Sequence, residues 1–555
     1  MSVTRSSVHD DRLFSSYHAM KESREAVREP VQQSRSSPSS QRGKARTVAV
    51  IDIGASAVRL VVAELSVGQP PMLLEEASRG VLLGQDTFSS GRIGAATIDR
   101  AVRALSGFLR IMDGYRVAEV RAVATSAVRE AANADTFLDR VRVRTGLIVD
   151  VIDGSEESRL TYLAVQAGLR GHAALEAPSA LLVEVGGGSV DLTLLDRGQP
   201  MQSGVYPLGA IRLRQRLATW HGPHQQRIRL LKRQVAHVVG EIVGEIPMVG
   251  ATHLIALGGD MRFVAEHLVE SGDQHVREFS RDRFFAFCDD VETCDPESLV
   301  ERFRLSQVDA ETLVPSLLVY RGVLQATAAS HVVVPDVSLR AGILAEFLAD
   351  TTGPDLADFR SHVLASARSL GAKYRFDEPH ALTVARLSTR LFDELRVEHA
   401  LNERDRLLLE AAALLHDIGL FISLRGHHRH SLYLLQASEI FGLSRDDMQF
   451  VGNIARYHRR ALPQSSHGAY ASLDRDERVR VNKLAAILRL ANALDAEHLQ
   501  KISDLRIHDE DGVWVLTVEG KGDLTMERLA GTSRSDLLAD VFGKRLTIRG
   551  AGAGS

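Results

Sequence analysis

The sequence predicts a two-lobed α/β protein followed by an all-α domain and a small C-terminal α+β unit. Three observations carry this prediction. A strand–turn–strand pattern occurs twice, around Asp52-Ile53-Gly54 and again around Glu184-Val185-Gly186. After about residue 350 the apolar residues fall at helical spacing almost throughout. Strand-like runs return from about residue 503. The expected divisions are a Ser/Arg-rich disordered tail over 1–46, lobe I over 47–178 and lobe II over 179–348. A helical domain over 349–502 and a strand-containing unit over 503–550 complete the chain.

The tail reads VREPVQQSRSSPSSQRGKAR and holds too little apolar surface to offset the entropy of ordering it. It also lacks the apolar stretch of a signal peptide. Order begins with TVAVIDIGASAVRLVVAEL, two β-branched runs around an Asp-x-Gly turn, which reads as a hairpin. The stretch ATIDRAVRALSGFLRIMDGY reads as an amphipathic helix. A short strand and a helix starting near Ser126 come next, then the strand LIVDVID and a turn into a helix at GSEESRLTYLAVQAGL. The second hairpin is SALLVEVGGGSVDLTLLDRG, and a third buried strand ends in glycines at HLIALGGD. Strands mixed with crossover helices mean an α/β architecture.

With 555 residues the chain exceeds what one core holds, so roughly three or four compact units are expected. A net charge of −4 gives no global field toward nucleic acid or anionic lipid, so no specific nucleic-acid partner is expected. No apolar run reaches the length of a membrane span. Cys288 and Cys294 are too few for a disulfide framework and read as ordinary thiols of a reducing cytoplasm.

The run Gly186-Gly187-Gly188-Ser189 lies between two strands. Glycine lets a backbone approach an anion closely, and successive N–H groups in such a turn form a concave anion site. Taken alone, the run reads equally as a plain hairpin turn. Paired with the matching turn at Gly54 and Ser56, it reads as half of a phosphate cleft. Glu184 and Asp52, at the ends of the two leading strands, have the oxygen donors that Mg²⁺ shares with phosphates.

From about Thr47 to Leu348 the chain resembles the exopolyphosphatase and guanosine pentaphosphate phosphohydrolase family. That family belongs to the actin-like, sugar kinase and heat-shock ATPase fold group. The segments that carry the resemblance are VIDIGASAVRLVV, LLVEVGGGSVDLTLLDRG, YPLGAIRLR, LIALGGD and VSLRAGIL. The most diagnostic is VATSAVREAANADTFLDRVRVRTGLIVDVIDGSEESRLTYLAV. The resemblance implies that Glu156 and Glu157 are the acidic pair supplying the general base, with Glu157 favoured. It also implies that Arg129 and Arg340 bind phosphate, a task to which a guanidinium is suited. On the residues alone, GSEES also reads as a helix start with Ser155 as its cap. The chain departs from the family pattern at several positions. Gly54-Ala55-Ser56-Ala57 stands where Gly-Ser-Asn-Ser is common, and Glu184 where Asp is usual. Val190, Asp191 and Asp260 replace Thr, Glu and Thr.

The helical half contains LLHDIG, with His416 and Asp417, preceded by His380 and followed by Asp495. This order resembles the HD phosphohydrolase superfamily and implies a second divalent metal on those four residues. Imidazole and carboxylate together suit Mn²⁺, Fe²⁺, Zn²⁺ or Ni²⁺. Further imidazoles come from His427, His428, His430 and His458. With Arg425, Arg429, Arg456, Arg459 and Arg460 they read either as a polyanion channel or as a solvated basic face.

The expected function is a Mg²⁺-assisted exopolyphosphatase, a cytoplasmic homodimer acting on inorganic polyphosphate. Guanosine pentaphosphate is the alternative substrate. A non-catalytic polyphosphate or alarmone sensor working through the helical domain is the alternative of another class. An ATP-using kinase of the same fold is disfavoured by the diagnostic segment.

Overall fold

The computed structural model describes residues 45–550 apart from 67–68, 218–221, 270–274, 353–355 and 460. The tail expected over 1–46 therefore lies outside the described residues up to Lys44, and so does Arg460. From Ala45 onward the chain forms one compact unit.

The two hairpins seed two sheets of the same design. The first contains β1 (Arg46–Ile53), β2 (Ala57–Leu65), β3 (Met72–Gly80), β4 (Glu119–Ala124) and β5 (Val149–Val151). Its order is β3-β2-β1-β4-β5, with β1, β2 and β3 antiparallel and β4 and β5 parallel to β1. The second contains β6 (Ala180–Val185), β7 (Val190–Asp196), β8 (Gln199–Tyr206), β9 (His253–Leu257), β10 (Val276–Ser280) and β11 (His331–Pro335). Its order is β8-β7-β6-β9-β11-β10, so β6 holds the place of β1 and β10 is an added antiparallel edge. This duplication is the actin-like two-lobed architecture.

The apolar runs of β1 are explained by burial on both faces. Ala49, Ile51 and Ile53 pack with Phe108 of the helix Ala95–Gly114. Val48 and Val50 pack on the other face with Leu160 and Ile343. Residues of alternate parity take opposite faces of a strand, so a strand covered by helices on both sides reads as continuously apolar.

Two helices bring lobe I to the cleft. Gly154–Gly168 starts just beyond β5, and Leu339–Thr352 packs across it. Gly342 makes that crossing possible, because a Cβ there would collide with the carbonyl of Leu160. Asp153 caps the first helix by accepting from Glu156 N–H at 2.9 Å. The cap expected at Ser155 is thus corrected: its hydroxyl donates to Ile440 O at 3.1 Å instead. The helix expected from Ser126 is also shorter than its apolar spacing suggests. Ser126–Arg129 forms one turn, and Ala134–Thr145 is a separate helix.

Beyond residue 355 the helices Glu378–Glu394, Glu403–Leu415, Arg445–Arg456 and Arg475–Ala493 build one core. Three of the starts carry reciprocal capping boxes: Asn402 with Asp405, Ser444 with Asp447, and Asp474 with Glu477. The C-terminal strands β12 (Ile502–Glu510), β13 (Val513–Gly520) and β14 (Arg545–Gly550) form a mixed sheet. Leu505, Leu516 and Ile548 of this sheet share the helices' core. The helical region meets the lobes at Asp153, whose second oxygen accepts from Arg445 N–H at 2.8 Å. Phe441 meets Tyr162 edge-on nearby, with ring centroids 5.3 Å apart.

Candidate active site

A cavity of about 220 Å³ lies between the lobes where the two hairpin turns meet. The turns have matching geometry: Gly54 N–H donates to Ala57 O at 3.1 Å, and Gly186 N–H to Ser189 O at 2.8 Å. Gly54 and Gly186 therefore shape the turns and do not offer their own N–H groups to a ligand. The turn carbonyls are tied on their far side. Ala55 O and Ser56 O accept from Gly84, Val81 and Leu82, while Gly186 O and Gly187 O accept from Ala210, Ile211 and Arg212. Among the described residues, the N–H groups of Ala55, Ser56 and Gly187 have no protein partner. Those three residues line the cavity, a backbone arrangement that favours an anion.

The departures from the family pattern have a packing account in part. Ala55 sits between Gly84 and Gly187, since a Cβ on either would come within 2.9 Å of the Ala55 methyl. A larger side chain at position 55 would force the two turns apart. The structure gives no account of Ala57 or Val190.

Hairpin register sets the charges. Asp52 pairs with Arg59 across β1 and β2, and Glu184 with Asp191 across β6 and β7. One lobe thus places a cation beside its carboxylate, and the other a second acid. Asp52 Oδ2 lies 3.7 Å from Arg59 Nη1 and 3.6 Å from Arg340 Nη1. Burial raises the Asp52 carboxyl against the opposing charges of Arg59 and Arg340. Arg340 lines the cavity, and its buried Nε has no partner among the described residues.

The helix Gly154–Gly168 joins both sides. Its first turn sends Glu157 into the cavity. Arg129 Nη1 lies 3.4 Å from Glu157 Oε2 and donates to Ile152 O at 2.6 Å. Burial pushes the Glu157 carboxyl up to about 7, with Arg129 opposing and with Glu184 and Asp52 adding to the rise. One turn on, Thr161 donates to Glu184 Oε2 at 3.2 Å. Residues four apart share a helix face, so Glu157 and Thr161 both reach the cleft side. Glu184 is raised by burial, against Arg262 and the Thr161 hydrogen bond. Ser158 donates to Asp191 Oδ2 at 2.7 Å, and burial holds that acid well above the usual carboxylate range.

A third loop completes the cavity. Gly258 takes φ of 94°, a backbone state open to glycine, and starts the helix Gly259–Leu268. Asp260 and Arg262 of its first turn line the cleft, and burial pushes Asp260 up to about 6.

Three residues expected at the cleft lie elsewhere. Glu156 is held by Arg159, with two contacts of 2.8 Å, and by Arg121 at 3.3 Å. Burial raises its carboxyl, but these two arginines outweigh that and lower it. It faces a separate 850 Å³ groove against the helical region. The reason is geometric: neighbouring helical residues point about 100° apart, so only one of the pair faces the cleft. Gly188 packs against Phe88, and its carbonyl accepts from Arg212 Nε at 2.7 Å. Arg129 is turned to Glu157 and Ile152 rather than lining the cavity. Arg59 and Arg262 are cleft residues that the motifs did not single out. The hairpin register, which sets Arg59 opposite Asp52, is the signal that identifies the first.

The helical region gathers the expected quartet together with further histidines. His380 donates or accepts at both ring nitrogens, with Asp495 Oδ2 at 2.7 Å and Asn492 Oδ1 at 3.1 Å. Asp495 also accepts from Gln500 N–H at 2.7 Å. His416 is fully buried, and burial pushes it down to about 3. Among the described residues, close donor sets join Asp417 to His427 and His458, or to His380 and His498. The expected four lie in one cluster: His380 Nδ1 is 2.7 Å from Asp495 Oδ2, His416 Nε2 is 3.6 Å from Asp417 Oδ2, and the His380 and His416 ring centroids are 5.3 Å apart.

Known proteins resemble the chain in the same regions. Residues 61–351 match the model of the Ppx/GppA phosphatase family, and residues 364–530 match Ppx/GppA phosphatase, domain III. "Exopolyphosphatase 1" of Mycobacterium leprae is 34% identical over 183 residues, which are 33% of this chain and 53% of that protein. "Exopolyphosphatase 1" of Mycobacterium tuberculosis H37Rv is 32% identical over 183 residues, 33% of this chain and 52% of that one. The matched stretch spans about half the length of these relatives. The crystal structure of an exopolyphosphatase from Cytophaga hutchinsonii superposes with a TM-score of 0.50 at 23% identity. That match covers 55% of this chain and 98% of the other, and the likeness concerns the fold. No helix among the described residues is long and apolar enough to cross a membrane.

Proposed function

We propose that this chain, which belongs to the Ppx/GppA phosphatase family, is an exopolyphosphatase that hydrolyses the terminal phosphate of inorganic polyphosphate. One observation carries the reading: Glu157 lies in the cleft as a half-buried carboxyl raised to about 7 and held by Arg129. A base poised near neutral pH can take a proton from water and still be ionised in use. The names of the mycobacterial relatives point the same way.

In this reading the terminal phosphate rests against the N–H groups of Ser56 and Gly187, with Arg340, Arg59 and Arg262 around it. Phosphoryl transfer asks a protein chiefly to position the nucleophile and to neutralise oxygen charge. Glu157 orients a water and takes its proton as the water oxygen bonds to phosphorus. The phosphoanhydride P–O bond breaks, and the shortened chain leaves with its electron pair. Arg129 is a positioning residue: its bond to Ile152 O fixes its guanidinium beside Glu157.

The donor set fits Mg²⁺. Buried Asp52 and half-buried Glu184 and Asp260 are raised carboxylates at one cavity, whose lining among the described residues has no histidine or cysteine. Asp52 and Glu184 would hold the ion, which supplies charge neutralisation for phosphate oxygens when bound.

The test is substrate choice. Purified chain with Mg²⁺ releases phosphate from long-chain polyphosphate faster than from guanosine pentaphosphate. The opposite ranking establishes the alarmone reading. Tight salt-sensitive binding of polyphosphate without release establishes a sensor. The reading extends to a cytoplasmic homodimer in which one helical region lengthens its partner's polyanion path. A monodisperse monomer at micromolar concentration in light scattering contradicts that extension.

A further inference from the structure

We propose that the 850 Å³ groove between lobe I and the helical region binds a small aromatic cation, at a site separate from the phosphatase cleft. Its lining comes from both sides. Glu156, Arg159 and Tyr162 belong to the helix Gly154–Gly168, and Asp358, Phe359 and His362 to the helix Leu356–Lys373. Phe441 and Gly442 precede the helix Arg445–Arg456, which adds Arg445 and Asp446. Small-molecule sites commonly lie where two such bodies meet, in cavities of about 300–1,000 Å³ with apolar and aromatic walls.

The aromatic wall is fixed by packing. Tyr162, His362 and Phe441 are at most 4% exposed and meet edge-on, with centroids 5.1, 5.3 and 6.3 Å apart. The Tyr162 hydroxyl donates to Gly198 O at 2.5 Å, so its polar end is satisfied within the protein. Burial lowers the His362 imidazole against the opposing charge of Asp358, which keeps the ring uncharged at neutral pH. Phe359 is the fourth ring. Gly442, at φ of 80°, makes room for it: a Cβ there would come within 2.8 Å of the Phe359 ring. Such rings offer apolar area and electron-rich faces that attract a cation.

Charge sets the sign of the ligand. Glu156 and Glu346 are each shared by Arg121 and Arg159, so these four charges cancel. Both Asp153 oxygens accept backbone N–H groups, and Arg404 pairs with Asp447 at 2.6 Å. Among the described residues, the lining side chains of Asp358, Asp446 and Arg445 have no ion-pair partner. Two carboxylates against one guanidinium favour a cation, and they oppose a phosphate chain. The groove is therefore unsuited to the anion that the cleft's arginines suit.

A gap that holds only water is the competing reading, and titration with tryptamine, an indole carrying an ammonium group, distinguishes the two. Calorimetry on the full-length protein without polyphosphate shows saturable binding of one equivalent. Indole-3-propionate, which has the same ring and a carboxylate in place of the ammonium, binds roughly tenfold more weakly or not at all. Asp358→Asn combined with Asp446→Asn weakens tryptamine binding by roughly tenfold or more, as loss of a charged partner should. Both aspartates are exposed, so the fold is not at risk, and circular dichroism checks this. Phe359→Ala weakens tryptamine binding as well. Arg340→Gln, in the phosphatase cleft, leaves it unchanged. No saturable binding, equal binding of the propionate, binding that survives the paired aspartate change or the Phe359 change, or binding lost with Arg340→Gln overturns the proposal.

Discussion

Arg129 reaches two groups at once: its Nη1 donates to Ile152 O at 2.6 Å and lies 3.4 Å from Glu157 Oε2. The backbone contact anchors the guanidinium, and the carboxylate contact sets the charge state of the base. Burial raises Glu157 and Arg129 opposes the rise, so removing the arginine lets the carboxyl climb further.

The pH profile follows in sign. A base must be ionised, so kcat/KM rises with pH through about 7 and falls below it. Arg129→Gln moves this acidic limb to higher pH. Steady-state profiles of both proteins check it, and coincident limbs contradict it.

Asp153 caps the helix Gly154–Gly168 through Glu156 N–H and also accepts the Arg445 N–H of the helical region. Losing a side-chain cap costs about 1 kcal/mol and losing a hydrogen bond about another 1 kcal/mol, so Asp153→Ala should destabilise by about 2 kcal/mol. Urea unfolding measures this. An unchanged midpoint and slope would show that the two contacts contribute nothing.

Gly342 lies against the Leu160 carbonyl, so Gly342→Ala must separate the helices Gly154–Gly168 and Leu339–Thr352. Overpacking of this kind costs about 1–3 kcal/mol. The same shift moves Arg340 relative to Asp52, so both Tm and kcat/KM fall. A variant with wild-type values for both would contradict the close crossing.

Much of the fold was legible because its signals are local. The paired turns at Gly54 and Gly186 announced two lobes, and each closes with the same bond, Gly54 N–H to Ala57 O and Gly186 N–H to Ser189 O. What was illegible depends on direction or on distant packing. Glu156 and Glu157 are adjacent in sequence, yet helix geometry sends one to the groove and the other to the cleft. Arg59 reads as a lone strand arginine until the hairpin register sets it opposite Asp52. The HD-like spacing drew attention to His380 and Asp495, which bond to each other. The meeting of His427 with His458 spans 31 residues and arises from helix packing, which no short motif encodes.

The most direct test of the central claim is phosphate release from long-chain polyphosphate with Mg²⁺, wild type beside Glu157→Gln. The amide keeps the size of the side chain and removes its basicity. The account predicts release by wild type and a loss of roughly a hundredfold or more in kcat, about 2.7 kcal/mol of barrier. Equal rates for the two proteins would contradict Glu157 as the base.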